Sequence, residues 1–347
     1  MTSTTLASDS GVALVRRPNR VRLLWLLVVL VLLVVLSGIS LAVGSRDVSW
    51  DDLIAGLAGG TENLSQAAVV KRIPRTVLAL VVGAALGLSG AVMQGVTRNP
   101  LADPSILGVS MGASLAVVAG IAWFGLSSAS GYIWTAILGA ALAAVFVYAI
   151  GSLGTGGATP LKLALAGAAT SVALVSFMTA IALPRGDISA IIRSWQIGGV
   201  GGASFDTILQ VAPFLVVGAI VCLLSARSLN SLALGDDLAA SLGERVAIVR
   251  AFAAFGAVLL CGAAVAVAGP IAFLGLIVTH MCRLLVGVDQ RWLLPFSALT
   301  GAALLVVADI VGRIVARPSE IDVGIITALI GAPVFIAIVR RQKVRAL

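Results

Sequence analysis

Residues 23–43 run for twenty-one positions without a charge and without alternation of polar and apolar side chains. Similar stretches recur at 76–96, 106–126, 133–153, 163–183, 207–226, 246–268, 271–285, 293–311 and 323–339. A membrane-spanning helix needs about 20 largely apolar residues, whereas a barrel strand needs about 10 with strict alternation. The pattern therefore predicts an all-α integral membrane protein of about ten transmembrane helices, with the eighth short. A soluble core is excluded on area grounds. With 60% hydrophobic and 11% charged residues, a soluble globule of 347 residues would leave too much apolar surface in water. The first stretch is also too long for the h-region of a signal peptide, which spans about 7 to 15 residues, so it reads as a retained helix. Residues 1–20 are polar and rich in Ser and Thr, and read as a disordered cytoplasmic tail. Residues 21–347 read as one ten-helix membrane domain.

The net charge of +8 does not point to nucleic acid. Its basic residues gather beside the first and last apolar stretches (Arg16, Arg17, Arg20, Arg22; Arg340, Arg341, Lys343, Arg345), as membrane-flanking anchors do. With both termini inside, fifteen of the 23 Lys and Arg fall on cytoplasmic segments and eight on outer ones. The positive-inside rule thus predicts a multi-pass protein of the cytoplasmic membrane with both termini in the cytoplasm. Arg72, Arg75 and Arg313 are then left on the outer side, where they need an anionic partner.

The chain carries no equipment for catalysis. It has one histidine, His280, at the end of a stretch, and no glycine-rich loop leading to a lysine. No catalytic residue and no metal site is assigned, and Cys222, Cys261 and Cys282 lack C-x-x-C spacing and read as structural thiols. Gly198–Gly202 has no strand before it and reads as a closely packed or flexible loop. An ion-coupled secondary carrier would need ionisable groups in mid-membrane, and the stretches hold almost none. Energy for any transport must come from outside the chain.

Two features suggest transport. Residues 83–90 (GAALGLSG) resemble 262–269 (GAAVAVAG), and 165–168 (LAGA) resemble 329–332 (LIGA). The halves begin at spans 2 and 7, five spans apart, which makes an inverted repeat of spans 2–5 and 7–10, a plan common in transporters. Between spans 6 and 7, Asp236 and Asp237 start a short helix at about 232–243. There Leu234, Leu238 and Leu242 recur every four residues as one apolar stripe. A stripe of this kind in a cytoplasmic segment calls for a partner.

Ordered motifs then identify a resemblance. Arg72-Ile-Pro-Arg75, residues 83–94 (GAALGLSGAVMQ), residues 99–104 (NPLADP), Leu107-Gly108, residues 165–167, Trp195 to Gly202, residues 269–275 (GPIAFLG), Ala308-Asp309 and residues 331–335 (GAPVF) resemble the FecCD-type permeases of ABC importers for iron-siderophores, cobalamin or haem. Thr279 before His280 departs from the Pro usual there. The resemblance implies a type II importer fold. It implies a second permease subunit, identical or a paralogue, two ATPase subunits carrying ATP and Mg, and an extracytoplasmic binding protein. It also implies roles for residues. Arg72, Arg75 and Arg313 dock the binding protein. Residues Leu234, Asp237, Leu238, Ala239, Ala240, Leu242 and Gly243 couple to the ATPase. Asn99, Leu101, Thr159, Pro160 and Leu161 form the inner gate. Small residues Ala84, Gly87, Gly90 and Ala91 are expected to line the pathway. Ferric siderophore is the expected cargo, with cobalamin or haem, or an ion-coupled carrier, as alternatives.

Overall fold

The structure is a computed structural model and describes residues 18–104, 108–153, 160–186 and 195–345. Most of the N-terminal tail and Thr159 lie outside the described residues. Every regular element among the described residues is a helix: α1 (Asn19–Ala42), α2 (Trp50–Leu57), α3 (Leu64–Thr97), α4 (Val109–Phe124), α5 (Ala129–Gly151), α6 (Pro160–Ala182), α7 (Phe205–Leu224), α8 (Ala226–Leu232), α9 (Asp236–Ser241), α10 (Val246–Ala268), α11 (Leu274–Val286), α12 (Gln290–Val315) and α13 (Val323–Arg345). Seven are long and apolar enough to cross a bilayer, and α4, α11 and the apolar part of α13 are shorter. The ten expected stretches each become one helix.

Residues 44–75, between the first two apolar stretches, are themselves largely helical. They hold α2 and the first three turns of α3. Ser49 accepts from the Asp52 amide and Asn63 from the Gln66 amide, so each start is capped by a side-chain oxygen. Pro74 sits inside α3, and Arg72 and Arg75 are helical residues instead of preceding the span. Polarity concealed this extension, because the partners that satisfy those side chains come from other helices.

The centre of the bundle is α3, packed against α12, α10 and α11. It is buried on nearly every face, as expected of a helix apolar all round. By contrast, α1 exposes Leu23, Leu27, Val31 and Val34 along a lipid-facing side. The contact of α3 with α12 and α11 is a glycine seam. A Cβ on Gly83 would lie 2.5 Å from the Gly301 carbonyl oxygen, one on Gly87 2.2 Å from that of Ser297, and one on Gly90 2.5 Å from the Gly275 Cα. Backbones this close exclude any side chain and let dispersion act between the helices themselves, the usual way membrane helices associate.

The two halves share a plan. In each, a long helix (α3, α10) leads through a loop to a short helix (α4, α11) whose N-cap is left-handed: Gly108 at φ 78° and Phe273 at φ 64°. Of the Gly198–Gly202 loop, Gly198 and Gly199 are closely packed, whereas Gly201 and Gly202 are exposed. The Gly199 amide donates to the Ala268 carbonyl and the Gly324 amide to that of Gly198, which ties the end of α10 to the start of α13.

Candidate functional site

At the end of the bundle where α1 finishes, three arginines and two carboxylates form one cluster. Arg72 donates through Nη1 to the carbonyls of Leu41 (3.0 Å) and Ala42 (2.9 Å) and through Nη2 to that of Arg46 (2.7 Å). Arg313 donates through Nη1 to the carbonyls of Ser40 (2.9 Å) and Val43 (3.0 Å) and through Nη2 to the Ser40 hydroxyl (2.7 Å). These acceptors are the last carbonyls of α1 and the turn beyond it, which an α-helix leaves without intrahelical partners and with negative partial charge. The two guanidinium groups act as the C-terminal cap that the sequence of α1 does not supply.

Asp309 joins the cluster from α12. Its Oδ1 lies 2.8 Å from Arg75 Nη2, and its Oδ2 is 2.9 Å from Arg313 Nη2, an ion contact without hydrogen-bond alignment. The i, i+4 pair legible in the sequence therefore forms, inside the protein. Arg75 also donates to Glu320, whose other oxygen accepts from Ser45 at 2.8 Å. Burial would raise the Glu320 carboxyl, but the hydrogen bonds from Arg75 and Ser45 outweigh it and hold the group below the ordinary glutamate value of 4.5.

This geometry changes the expected docking set. Arg72 and Arg313 are 6% and 1% exposed, and their polar groups are met within the subunit, so neither needs an external anion to explain its position. The Arg75 side chain is 14% exposed and reaches the rim through Glu320. Ser40, Asp309 and Glu320 are the members that sequence reasoning did not assign. Asp309 was visible as a charge in an apolar stretch; Ser40 gave no signal.

Three of the four expected pathway residues are turned into the subunit. Ala91 is 0% exposed, Gly87 and Gly90 face the backbones of α12 and α11, and Ala84 is only half-buried. Gly87 and Gly90 thus belong to the internal glycine seam and Ala91 is buried within the subunit, while Ala84 keeps part of its surface exposed. Small residues suit a pathway lining and a close helix contact alike, and the sequence does not say which face meets a neighbour.

At the other end of α3 the chain turns back. Arg98 caps the helix in the left-handed region (φ 50°), and Asn99 Oδ1 accepts from the Leu101 amide. Asp103, 4% exposed, accepts from the Leu276 amide at 3.1 Å in the first turn of α11. It also borders a cavity of about 10 Å³ together with Leu86, Ser110 and Cys261, enough for one water. Leu86 precedes the end of α3 by eleven residues, about 16 Å at 1.5 Å per residue. Loop 98–104 thus folds back into the bundle, which explains why α4 is short and puts a carboxylate deep inside. The sequence reading of almost no ionisable groups at that depth did not include it. Of the expected gate, Asn99 and Leu101 sit on this loop. Pro160 opens α6 together with Leu161, while Thr159 lies outside the described residues.

The expected coupling segment resolves into α8, a turn and α9. Ala239 is 0% exposed and seats α9 on the bundle, whereas Leu234, Leu238 and Leu242 are 59%, 57% and 65% exposed. Gly243 is left-handed at φ 89° and ends the segment, while Asp237 and Ala240 are exposed. Three leucines are thus presented outward from a two-turn platform, with none turned into the subunit.

A family model described as the FecCD transport family matches residues 19–341. The ferric enterobactin transport system permease protein of Escherichia coli (strain K12) is 44% identical over 315 residues, 90% of this chain and 94% of that protein. The iron(3+)-hydroxamate import system permease protein of Bacillus subtilis (strain 168) is 47% identical over 272 residues, 78% of this chain and 71% of that protein. Among solved structures, an inward-facing putative metal-chelate type ABC transporter superposes with a TM-score of 0.78 at 30% identity, covering 94% of this chain and 100% of that one.

Proposed function

This chain belongs to the FecCD transport family, and on that premise we propose that its cargo is a ferric siderophore. It is the permease subunit of an ABC importer of the iron-siderophore, hydroxamate or citrate group, which has cobalamin permeases among its relatives, and ATP is hydrolysed on a separate subunit. The observation that carries the mechanism is the exposed leucine trio formed by Leu238 on α9 and Leu234 and Leu242 flanking it. An apolar surface at a cytoplasmic end is stable only when covered, and an ATPase subunit is the partner that an importer must engage there.

The proposed assembly has a second permease subunit, identical or a paralogue, two ATPase subunits that bind ATP and Mg, and an extracytoplasmic binding protein. The permease itself holds no cofactor in this reading. Both termini lie in the cytoplasm, supported by the excess of Lys and Arg on those segments. Binding-protein docking is assigned to the outer face around Arg75 and Glu320, with Arg72 and Arg313 fixing that face from beneath. Asn99, Leu101 and residues 159–161 act as the inner gate.

The test is purification of the assembled importer with its binding protein in lipid nanodiscs. ATP hydrolysis is then compared with ferric enterobactin, a ferric hydroxamate and cobalamin as the added cargo. Stimulation by a ferric siderophore and not by cobalamin is the expected result. Stimulation by cobalamin alone moves the chain to the other branch of the family, and co-purification with no ATPase subunit overturns the importer reading.

A further inference from the structure

We infer that Asp236 is a positioning residue that ties the ATPase-facing helix α9 to the inner gate loop, with Arg98 as the arm on the loop side. This rests on the permease reading above and concerns how movement at α9 reaches the membrane interior.

The geometry begins with Arg98. It caps α3 at φ 50°, ψ 30°, a conformation that a Cβ disfavours and that glycine or asparagine ordinarily fills at a helix end. An arginine there is held for its guanidinium and not for its backbone. Its Nη2 lies 2.9 Å from Asp236 Oδ1. Asp236 is the first residue of α9, and Arg250 of α10 reaches the same oxygen through its own Nη2 at 2.9 Å. One carboxylate oxygen therefore bridges α9 to the end of α3 and to the start of α10.

The bridge is poorly placed to serve as a stability element. The side chains of Arg98, Asp236 and Arg250 are 39%, 43% and 30% exposed, and ion pairs this solvated contribute little to folding. What the bridge does provide is direction. Only residues 99–102 separate Arg98 from Asp103, and that segment is braced internally by the Asn99 side chain on the Leu101 amide and by the Ala102 amide on the Asn99 carbonyl. At its far end Asp103 holds the Leu276 amide of α11. A short stiff strut thus runs from the contact surface of α9 to the N-terminus of a half-length helix inside the bundle. A shift of α9 is passed along it past Leu101.

The test places a thiol in the strut by Leu101→Cys. The three native cysteines are each 0% exposed, so the added thiol alone reacts with a maleimide. Labelling is timed in the full importer in nanodiscs, with and without Mg-ATP and vanadate, in the parent and with Arg98→Gly or Asp236→Asn. Arg98→Gly suits the left-handed backbone, so it removes the arm without straining the helix end. The expected result is a nucleotide-dependent change in labelling of about fivefold or more in the parent, the low end of ordinary coupling, and below about twofold in either variant. ATPase subunits should remain bound in both variants, and Arg98→Lys should restore part of the response. A full parental response in both variants overturns the inference. Loss of the ATPase subunits from both also overturns it, since the bridge would then be a structural staple. No nucleotide response in the parent overturns the importer reading and this inference with it.

Discussion

Replacing Arg313 by Met separates a structural role for the outer arginines from a docking role. The substitution keeps the aliphatic stem and removes a guanidinium whose side chain is 2% exposed. It takes the guanidinium donor from the Ser40 and Val43 carbonyls and from the Ser40 hydroxyl, each within 3.0 Å of that group; the hydroxyl keeps Thr76, and Asp309 keeps Arg75 as its remaining cation. Removing one partner of a buried ion pair costs about 3 to 5 kcal/mol. Because Asp309 retains Arg75, the lower half of that range applies. A control on the same face is Arg317→Met, whose partner Asp47 is 91% exposed; substitutions at such sites stay within about 0.5 kcal/mol. The assay is thermal unfolding of the purified subunit in detergent, followed by fluorescence-detected gel filtration at low and high salt. Arg313→Met should melt well below the Arg317→Met protein at both salt concentrations, because buried charges are weakly screened. Equal melting of the two variants, with capture of the binding protein lost only for Arg313→Met and restored by no salt condition, would refute the capping role.

On the contact surface, Leu238→Asp or Leu242→Asp should abolish cargo-dependent ATP hydrolysis and ATPase co-purification while leaving the melting temperature of the isolated subunit unchanged. Both side chains are more than half exposed, so a fall in melting would show that they face the bundle. In the glycine seam, Gly87→Ala places a Cβ 2.2 Å from the Ser297 carbonyl oxygen and should cost about 1 to 3 kcal/mol by overpacking, read as a lower melting temperature. Gly38→Ala, with nothing within 4 Å, should instead hold or gain up to about 1 kcal/mol from helix propensity. For pH, the Glu320 carboxyl is depressed below 4.5 in the folded state. Its stabilisation is therefore complete above the unfolded value and lost as pH falls through the lower folded one. The melting difference between the native protein and Glu320→Gln should be constant from neutral pH down to about pH 5 and close below that range; a difference that closes near neutrality would contradict the Arg75 pairing.

The fold class and the ten apolar spans were legible in the sequence, with their ends to within a few residues except at the start of α3 and the end of α13, because a bilayer imposes one local rule. Backbone groups must be satisfied within the segment, so length and hydropathy are enough to mark a span. The leucine trio was legible for a related reason: apolar side chains every four residues define a helix face without reference to anything else. Three matters were decided only by tertiary structure. Arg72 and Arg313 looked like outward-facing charges because the carbonyls that hold them are backbone atoms of α1, and backbone acceptors leave no mark in a sequence. Gly87 and Gly90 looked like a pathway lining because small residues permit both a wall and a close helix contact, and the choice depends on which helix stands opposite. Asp103 carried no mark of burial, and its anchoring position arises from a chain that turns back along α3 and brings residues 173 positions apart into one hydrogen bond; Asp236 was legible as a helix start, but its partners Arg98 and Arg250 were not. Local chemistry sets where helices begin and end, whereas the partner of a buried polar group is set by the packing that brings distant segments together.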